Sequence, residues 1–181
     1  MKIYLIYTAS RSVLSRTIKL YTKEDYNHVS IAFDKSLTET YSFGRKKISN
    51  PFIGGFVKED FNDPFFLTAH CEIYSITLTT EQYLLLRQQL AYFINNQPLL
   101  RYNLLGLLAI TANVKFHREH AFFCSEFVAT LLTKSRIASF SKELVFVTPQ
   151  DILKTCSLER EYHGTVKGYL AYTAIKRSKT R

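Results

Sequence analysis

Apolar and polar residues alternate along two neighbouring stretches in the first quarter of the chain. Every second position of residues 27–33 is apolar, beginning with Val29, and residues 37–43 alternate in the same way. A period of two directs successive side chains to opposite faces of a strand. Because a short polar turn separates the two stretches, we predict an antiparallel hairpin in which His28 lies on the face opposite Val29.

Helix and strand periods predict most of the other elements. Residues 2–7 and 71–78 are typical of buried strands, and Thr79 and Gln82 have the spacing of a capping box, which predicts a helix through residue 95. Further helices are predicted over residues 10–21 and 102–112, from near Cys124, and from Thr148 to about residue 156, while residues 161–175 are expected to add a final strand or two.

Residues 44–64 have a composition that is typical of turns. They are rich in Gly, Asn, Asp, Pro and Lys, and they contain the pair Gly54-Gly55 within a short apolar stretch, residues 52–57. Glycine pairs of this kind mark turns or close approaches of the backbone. We therefore predict a long loop after the hairpin, placed where it forms a wall or lid over a cleft.

The chain carries no internal repeat and no linker rich in Pro, Gly or Ser, so nothing in it indicates a second domain. A length of 181 residues suits one hydrophobic core. The predicted fold class is α+β, with an antiparallel sheet packed against helices. We expect one domain over residues 1–175 and a basic, flexible tail over residues 176–181.

The formal net charge of +9 favours anionic partners in general. Much of this charge lies in Arg45-Lys46-Lys47 and in residues 176–181. The chain has no zinc-finger spacing and no aromatic RNA-binding signature, so no nucleic-acid partner is expected.

The chain is predicted to have no transmembrane segment, because no window reaches the ~18 apolar residues that a membrane span needs. The first residues are too polar for the core of a signal peptide. The three cysteines, Cys71, Cys124 and Cys156, are an odd number at unequal spacings, which does not resemble a disulfide framework. We therefore expect a reducing compartment and a cytoplasmic location.

Cys124 is the cysteine whose surroundings in the sequence are typical of a nucleophile. Phe127, Val128 and Leu131 follow it at helical spacing, so Cys124 is expected in the first turn of a buried helix. The unpaired N–H groups and the positive end of the helix dipole stabilise a thiolate there. The alternative is that Cys124 is a small apolar residue that fills a gap in the core.

A cysteine nucleophile needs a base, and His28 is the histidine expected on a rigid strand. His117 and His120 lie in a charged loop, residues 115–120, before Cys124. A metal site formed by these two histidines and the cysteine is an alternative, but no second cysteine or acidic ligand stands at a usual spacing. No metal and no cofactor is expected. The two other histidines are expected to be structural or surface residues, His70 and His163.

Three segments together resemble a known family. They are the stretch YNHVSIAF at residues 26–33, the stretch LTETYSFG at residues 37–44 and, much later, the stretch FCSEFV at residues 123–128. They resemble the circularly permuted branch of the NlpC/P60 superfamily of papain-like hydrolases, which includes YiiX/YebB-like proteins and, more distantly, the lecithin:retinol acyltransferases. In that branch the histidine precedes the cysteine, as it does here.

The resemblance implies a permuted papain-like fold and a cysteine hydrolase. Cys124 would attack a carbonyl, His28 would take and return the proton, and a third residue would orient the imidazole. Glu39 and Ser42 are the two candidates for the third role, and strand alternation puts them on opposite faces. The substrate would be a small molecule or peptide with an amide or ester bond.

Two other functions remain open from the sequence. The first is a lipid acyltransferase or thioesterase that uses the same cysteine and histidine, with the apolar residues 99–110 lining an acyl groove. The second is a non-catalytic binding module that keeps the fold without a working active site. A peptidase or amidase is the leading prediction.

Overall fold

The computed structural model describes residues 1–9, 26–47, 50–103 and 120–178. These residues form an α+β structure in which a six-stranded antiparallel sheet packs against helices, as the sequence predicted. None of the helices in these ranges is long and apolar enough to cross a membrane.

Eight strands are formed by the described residues. They are β1 (Lys2–Ala9), β2 (His28–Ala32), β3 (Thr40–Lys47), β4 (Asn50–Glu59), β5 (His70–Thr77), β6 (Arg101–Tyr102), β7 (Ala121–Phe122) and β8 (Glu159–Thr165). The large sheet has the order β4-β3-β2-β1-β5-β8, and every neighbouring pair in it is antiparallel. The short strands β6 and β7 form a separate parallel pair.

Five α-helices lie in the described part of the chain. They are α1 (Pro64–Leu67), α2 (Thr80–Asn95), α3 (Cys124–Lys134), α4 (Pro149–Thr155) and α5 (Val166–Ser178), with a short 3₁₀ turn at Leu144–Phe146. Thr79 caps α2 with Gln82 in a capping box, and Thr148 caps α4 with Pro149 at its first position. The three helices predicted to begin near Thr79, Cys124 and Thr148 are therefore confirmed.

The central strand β1 is covered on both faces. Ile3, Leu5 and Tyr7 join the larger core with α2 and α3, whereas Tyr4 and Ile6 join a smaller core with α5. A strand buried on both faces has no polar side to show. This is why the sequence of β1 is almost continuously apolar rather than alternating.

Four phenylalanine rings fix helix α3 against the sheet. The Phe127 ring centroid lies 5.4 Å from that of Phe43, 5.5 Å from that of Phe56 and 4.9 Å from that of Phe93. All four side chains are almost completely buried. Burial of a phenylalanine stabilises a fold by about 1.5–3 kcal/mol, so this cluster holds the start of α3 close to β3, β4 and α2.

The hairpin predicted around His28 is confirmed, with β2 and β3 antiparallel. Its second strand begins at Thr40 rather than at residue 37. The Asp34 carboxylate accepts hydrogen bonds from the backbone N–H groups of Ser36 and Thr38, which closes a turn in which Leu37 has a φ of 59°. This turn delays the start of the second strand.

The long loop predicted over residues 44–64 is wrong. Strand β3 continues to Lys47, and β4 occupies ten residues of the supposed loop. The glycines in it allow close packing instead of a turn: a Cβ at Gly54 would lie 2.7 Å from the Tyr102 Cβ, and one at Gly55 would lie 2.8 Å from the Leu100 carbonyl oxygen. Glycine in a strand often marks such an approach.

Residues 161–175 hold one strand and one helix instead of one or two strands. Strand β8 confirms the first part, but helix α5 replaces the second and continues past residue 175 to Ser178. A helix buries three side chains of this segment against the sheet at helical spacing, namely Val166, Tyr169 and Thr173.

Several predictions fall on other parts of the chain. The helix expected over residues 10–21 and the last part of the tail, residues 179–181, lie outside the described ranges. Tyr102 lies in strand β6 instead of opening a helix, and residues 104–112 of that predicted helix are again outside.

Candidate active site

Cys124 is the first residue of helix α3. Phe123 precedes it in an extended conformation, with φ −87° and ψ 164°, so the chain turns from strand into helix at the cysteine. The side chain is nearly buried, at 7% exposure. Interactions with the backbone of Val29 and Ser125 lower the pKa of its thiol, as expected for a sulfur at a helix N-terminus.

His28 is the first residue of strand β2, where it pairs with Thr8 of β1. Its side chain interacts with that of Cys124, which raises the pKa of the imidazole and lowers the pKa of the thiol. The Nε2 atom lies 2.8 Å from the Oε1 atom of Glu59 and 3.2 Å from the Ser30 hydroxyl oxygen. Because Nε2 is engaged on that side, Nδ1 is the nitrogen that remains for Cys124.

Glu59 is the last residue of strand β4 and the residue that the sequence analysis missed. Its carboxylate accepts hydrogen bonds from the hydroxyls of Ser42, at 2.7 Å, and Ser30, in addition to its contact with His28. Its side chain is only 5% exposed. Three polar partners satisfy this buried carboxylate, so it is held rigidly beside the imidazole.

A signal for Glu59 was present in the sequence. Phe56 and Glu59 belong to the stretch FVKE, in which β periodicity would put Val57 and Glu59 on one face. The pairing of Thr40 with Glu59 and of Ser42 with Val57 shows that this face also carries Ser42. Predicting a loop over residues 44–64 hid that relationship.

The pKa values of the three groups shift in the directions that favour charge separation. Burial lowers the pKa of His28, but the charge of Glu59 and the bond to Cys124 outweigh it and raise that pKa well above its ordinary 6.5. Burial raises the pKa of Cys124, but the bond to His28, its charge and the two backbone interactions lower it overall. Burial also raises the pKa of Glu59, and His28 and the two serines bring it below its ordinary value.

The other two cysteines show the opposite behaviour. Burial raises the pKa of Cys71 to about 12 and that of Cys156 to about 11. Both are free thiols, as is Cys124. Cys124 therefore differs from them in having a cationic partner and backbone interactions that offset burial.

The two residues predicted to orient the imidazole take different positions. Glu39 lies in the turn before β3, where its Oε1 atom is 2.5 Å from Nη1 of Arg87, so the structure does not bring it to His28. Ser42 lies in the site but contacts Glu59 instead of the imidazole. In this arrangement Ser42 supports the carboxylate, and Glu59 has the position that we had predicted for Glu39 or Ser42.

The remaining histidines do not join the site in the described ranges. His70 and His163 lie on β5 and β8, paired with Thr165 and Glu72. His120 is exposed, with a φ of 61°. Residues 1–9, 26–47, 50–103 and 120–178 contain no group of three His, Cys, Asp or Glu side chains that could hold a metal ion. His117 lies outside these ranges.

Gly44 and Tyr102 complete the surroundings. A Cβ at Gly44 would lie 3.7 Å from the Cε1 atom of His28, so the glycine backbone runs directly beside the imidazole. The Tyr102 ring meets the Phe123 ring edge-on, with centroids 6.4 Å apart. Burial raises the pKa of the Tyr102 phenol, and the charge of Cys124 raises it further, so the hydroxyl stays protonated near the thiol.

The arrangement supplies an activated thiol, a base and an oriented carboxylate, which is the set that nucleophilic acyl chemistry needs. Comparisons of the chain with protein-family models, with curated proteins and with solved structures found no significant match.

Proposed function

We propose that this protein is a cysteine hydrolase that cleaves an amide bond, with Cys124 as nucleophile, His28 as base and Glu59 as orienting residue. The observation that carries the proposal is that, in a nearly buried site, the Glu59 carboxylate contacts His28 and His28 interacts with Cys124. The carboxylate favours the imidazolium and the imidazolium favours the thiolate, so the ion pair forms without any other charged group.

The residues act in a fixed order. His28 holds the proton of the Cys124 thiol, and the thiolate attacks the carbonyl carbon to form a C–S bond. His28 then gives the proton to the leaving nitrogen as the C–N bond breaks, which leaves a thioester on Cys124. Water loses a proton to His28, attacks the thioester and releases the carboxylic acid as the C–S bond breaks. The proton on His28 re-forms the starting pair.

Charge that develops on the carbonyl oxygen would be stabilised at the start of α3. The first N–H groups of a helix have no intrahelical acceptor, and that of Cys124 stands next to the reacting sulfur. Tyr102, whose ring meets that of Phe123 edge-on directly before Cys124, is the side chain that we propose as the second donor.

The permuted papain-like relationship is part of the same proposal. It is supported by the order of the residues, with His28 on a strand before Cys124 at a helix start, and by the antiparallel sheet. A cytoplasmic location is likewise proposed, and the three free thiols support it. The acyl groove suggested for residues 99–110 falls largely outside the described ranges.

Labelling and turnover together test the proposal. At pH 7, iodoacetamide should alkylate Cys124 at least ten-fold faster than Cys71 and Cys156 within the same molecule, as quantified by peptide mass spectrometry. His28→Ala should remove the difference. Equal rates at the three cysteines would contradict the nucleophile assignment.

Panels of peptide amides, esters and phospholipids then separate the reaction classes. We expect amide turnover that is lost in Cys124→Ala. Turnover of lipid esters alone would favour the acyltransferase, and a reactive Cys124 without turnover of any panel would favour the binding module.

A further inference from the structure

Arg45 lies next to the candidate active site along strand β3. It follows Gly44, the residue whose Cβ would lie 3.7 Å from the Cε1 atom of His28. Successive side chains of a strand point to opposite faces, so the Arg45 side chain leaves β3 on the face opposite Gly44. It shares this face with Gly54, its partner on β4.

A second set of contacts connects Arg45 to the cysteine. Across the β3–β4 pairing Arg45 stands opposite Gly54, and Gly54 packs against Tyr102, whose ring contacts that of Phe123. Phe123 is the residue before Cys124. Burial raises the pKa of the Tyr102 phenol, and the charge of the Cys124 thiolate raises it further. The charge of the Arg45 guanidinium lowers that pKa. Tyr102 is therefore in electrostatic reach of both groups.

The guanidinium of Arg45 is not paired with a carboxylate in the described part of the chain. The guanidinium lies over the Phe65 ring, with Cζ 5.8 Å from the ring centroid, and the residue is partly exposed. Three other arginines do have carboxylate partners, namely Arg87 with Glu39, Arg136 with Glu81 and Arg160 with Glu72. Stacking on an aromatic ring leaves the N–H fork of an arginine open for a planar anion.

We infer that Arg45 binds a carboxylate of the substrate, so that the hydrolase acts on acyl compounds that carry a negative charge close to the scissile bond. The inference rests on the proposed function, since it assigns the substrate class of that site. A guanidinium matches the geometry of a carboxylate in a bidentate pair, and it would orient the acyl carbon toward Cys124. The net charge of +9 attracts the same class of substrate from solution.

Two alkylating reagents of nearly equal size provide the test. Iodoacetate carries a carboxylate and iodoacetamide a neutral amide, so the ratio of their rates at Cys124 reports a cation close to the sulfur. Arg45→Gln should lower the iodoacetate rate by roughly three-fold to thirty-fold, because removal of a nearby cation weakens the attraction of the reagent's carboxylate. The iodoacetamide rate should stay within about two-fold of the wild-type rate, and Arg45→Lys should retain part of the ratio.

Lys58→Gln is the matched control. Lys58 is exposed on strand β4, and its loss removes one positive charge from the protein without touching the site. It should leave the ratio unchanged. Salt at about 1 M should reduce the wild-type ratio and should affect Arg45→Gln less, because ions screen exposed charges.

The outcomes separate the two proposals. If Cys124 is selectively alkylated by iodoacetamide but Arg45→Gln leaves the ratio at the wild-type value, the carboxylate site is wrong and the hydrolase proposal stands. If Cys124 is no more reactive than Cys71 and Cys156 toward either reagent, both proposals fall. An equal loss of ratio in Lys58→Gln would show a general charge effect and would also overturn the Arg45 site.

Discussion

The Nε2 atom of His28 lies 2.8 Å from the Oε1 atom of Glu59, although 31 positions separate the two residues in the chain. His28 begins β2 and Glu59 ends β4, with β3 between them in the sheet. The contact reaches across one strand and joins two elements that local sequence does not connect. It provides the candidate site with its third member.

Glu59→Gln should slow the reaction of Cys124. Without the carboxylate charge the pKa of His28 falls, the imidazolium stabilises the thiolate less, and the pKa of Cys124 rises. We expect the alkylation rate at pH 7 to fall about ten-fold or more, and the pH of half-maximal reactivity to move upward. The measurement is the pH profile of iodoacetamide labelling at Cys124.

Glu39→Gln is the matched control for this change. Glu39 pairs with Arg87 near the surface and does not contact His28, so its profile should follow that of the wild type. A larger loss in Glu39→Gln than in Glu59→Gln would restore Glu39 as the orienting residue.

Ser42→Ala should affect stability more than the chemical step. The hydroxyl donates to the Glu59 carboxylate at 2.7 Å in a fully buried position. Loss of a hydrogen bond to a buried charged group costs about 1.5–3 kcal/mol. We expect the free energy of unfolding in urea to fall by that amount, while Ser30 and His28 keep Glu59 in place and activity falls less than ten-fold. A loss of activity as large as that of Glu59→Gln would argue that Ser42 acts on the imidazole itself.

Glu126→Gln should change how stability depends on pH. Glu126 is only 5% exposed, and its Oε2 atom accepts a hydrogen bond of 3.2 Å from the Phe123 N–H. Burial raises the pKa of Glu126 from 4.5 to about 7, against a smaller opposite effect of that hydrogen bond. The folded state therefore holds a proton that the unfolded state has lost between about pH 4.5 and 7.

The sign of the effect follows from that proton. Stability of the wild type should decrease as pH rises through this window, by up to about 3 kcal/mol for a shift of this size. A glutamine keeps an acceptor for the Phe123 N–H but does not ionise, so Glu126→Gln should equal the wild type near pH 4 and exceed it at pH 8. Urea unfolding at both pH values measures the difference. Glu81→Gln, which makes the same substitution at an exposed position in the first turn of α2, is the control.

Gly54→Ala should destabilise the protein. The added Cβ would lie 2.7 Å from the Tyr102 Cβ and 3.0 Å from the Gly44 carbonyl oxygen, so the β6 segment or strand β3 must shift. Overpacking of this kind costs about 1–3 kcal/mol. Gly44→Ala is the comparison, because its Cβ would meet ordinary contacts of 3.4–3.7 Å. Thermal unfolding that ranks Gly44→Ala below Gly54→Ala would contradict this account of the packing.

Local patterns were sufficient to predict two capped helices and the elements that carry Cys124 and His28. The caps at Thr79 and Thr148 involve residues three positions apart, and the apolar stripe after Cys124 is contained in one helix. The alternation around His28 belongs to one strand. Interactions of this range are present in the sequence itself, so these elements could be predicted without knowledge of the rest of the fold.

Tertiary packing decided the remaining features. Helix α5 forms where a strand was predicted, because Val166 and Tyr169 are buried against the sheet at helical spacing. Strand β4 forms through its pairing with β3 in a segment whose glycines indicated a loop. Both results depend on surfaces contributed by distant parts of the chain.

In the candidate site, too, some features could be predicted from the sequence and others required the tertiary structure. The sequence alone determined that Cys124 begins a helix and that His28 lies on a strand with a polar face, since both follow from local periodicity. Only the tertiary structure decided that Glu59, and not Glu39, contacts the imidazole. That choice required β4 to pair beside β3, and the pairing of distant strands is set by long-range packing that no short stretch of sequence records.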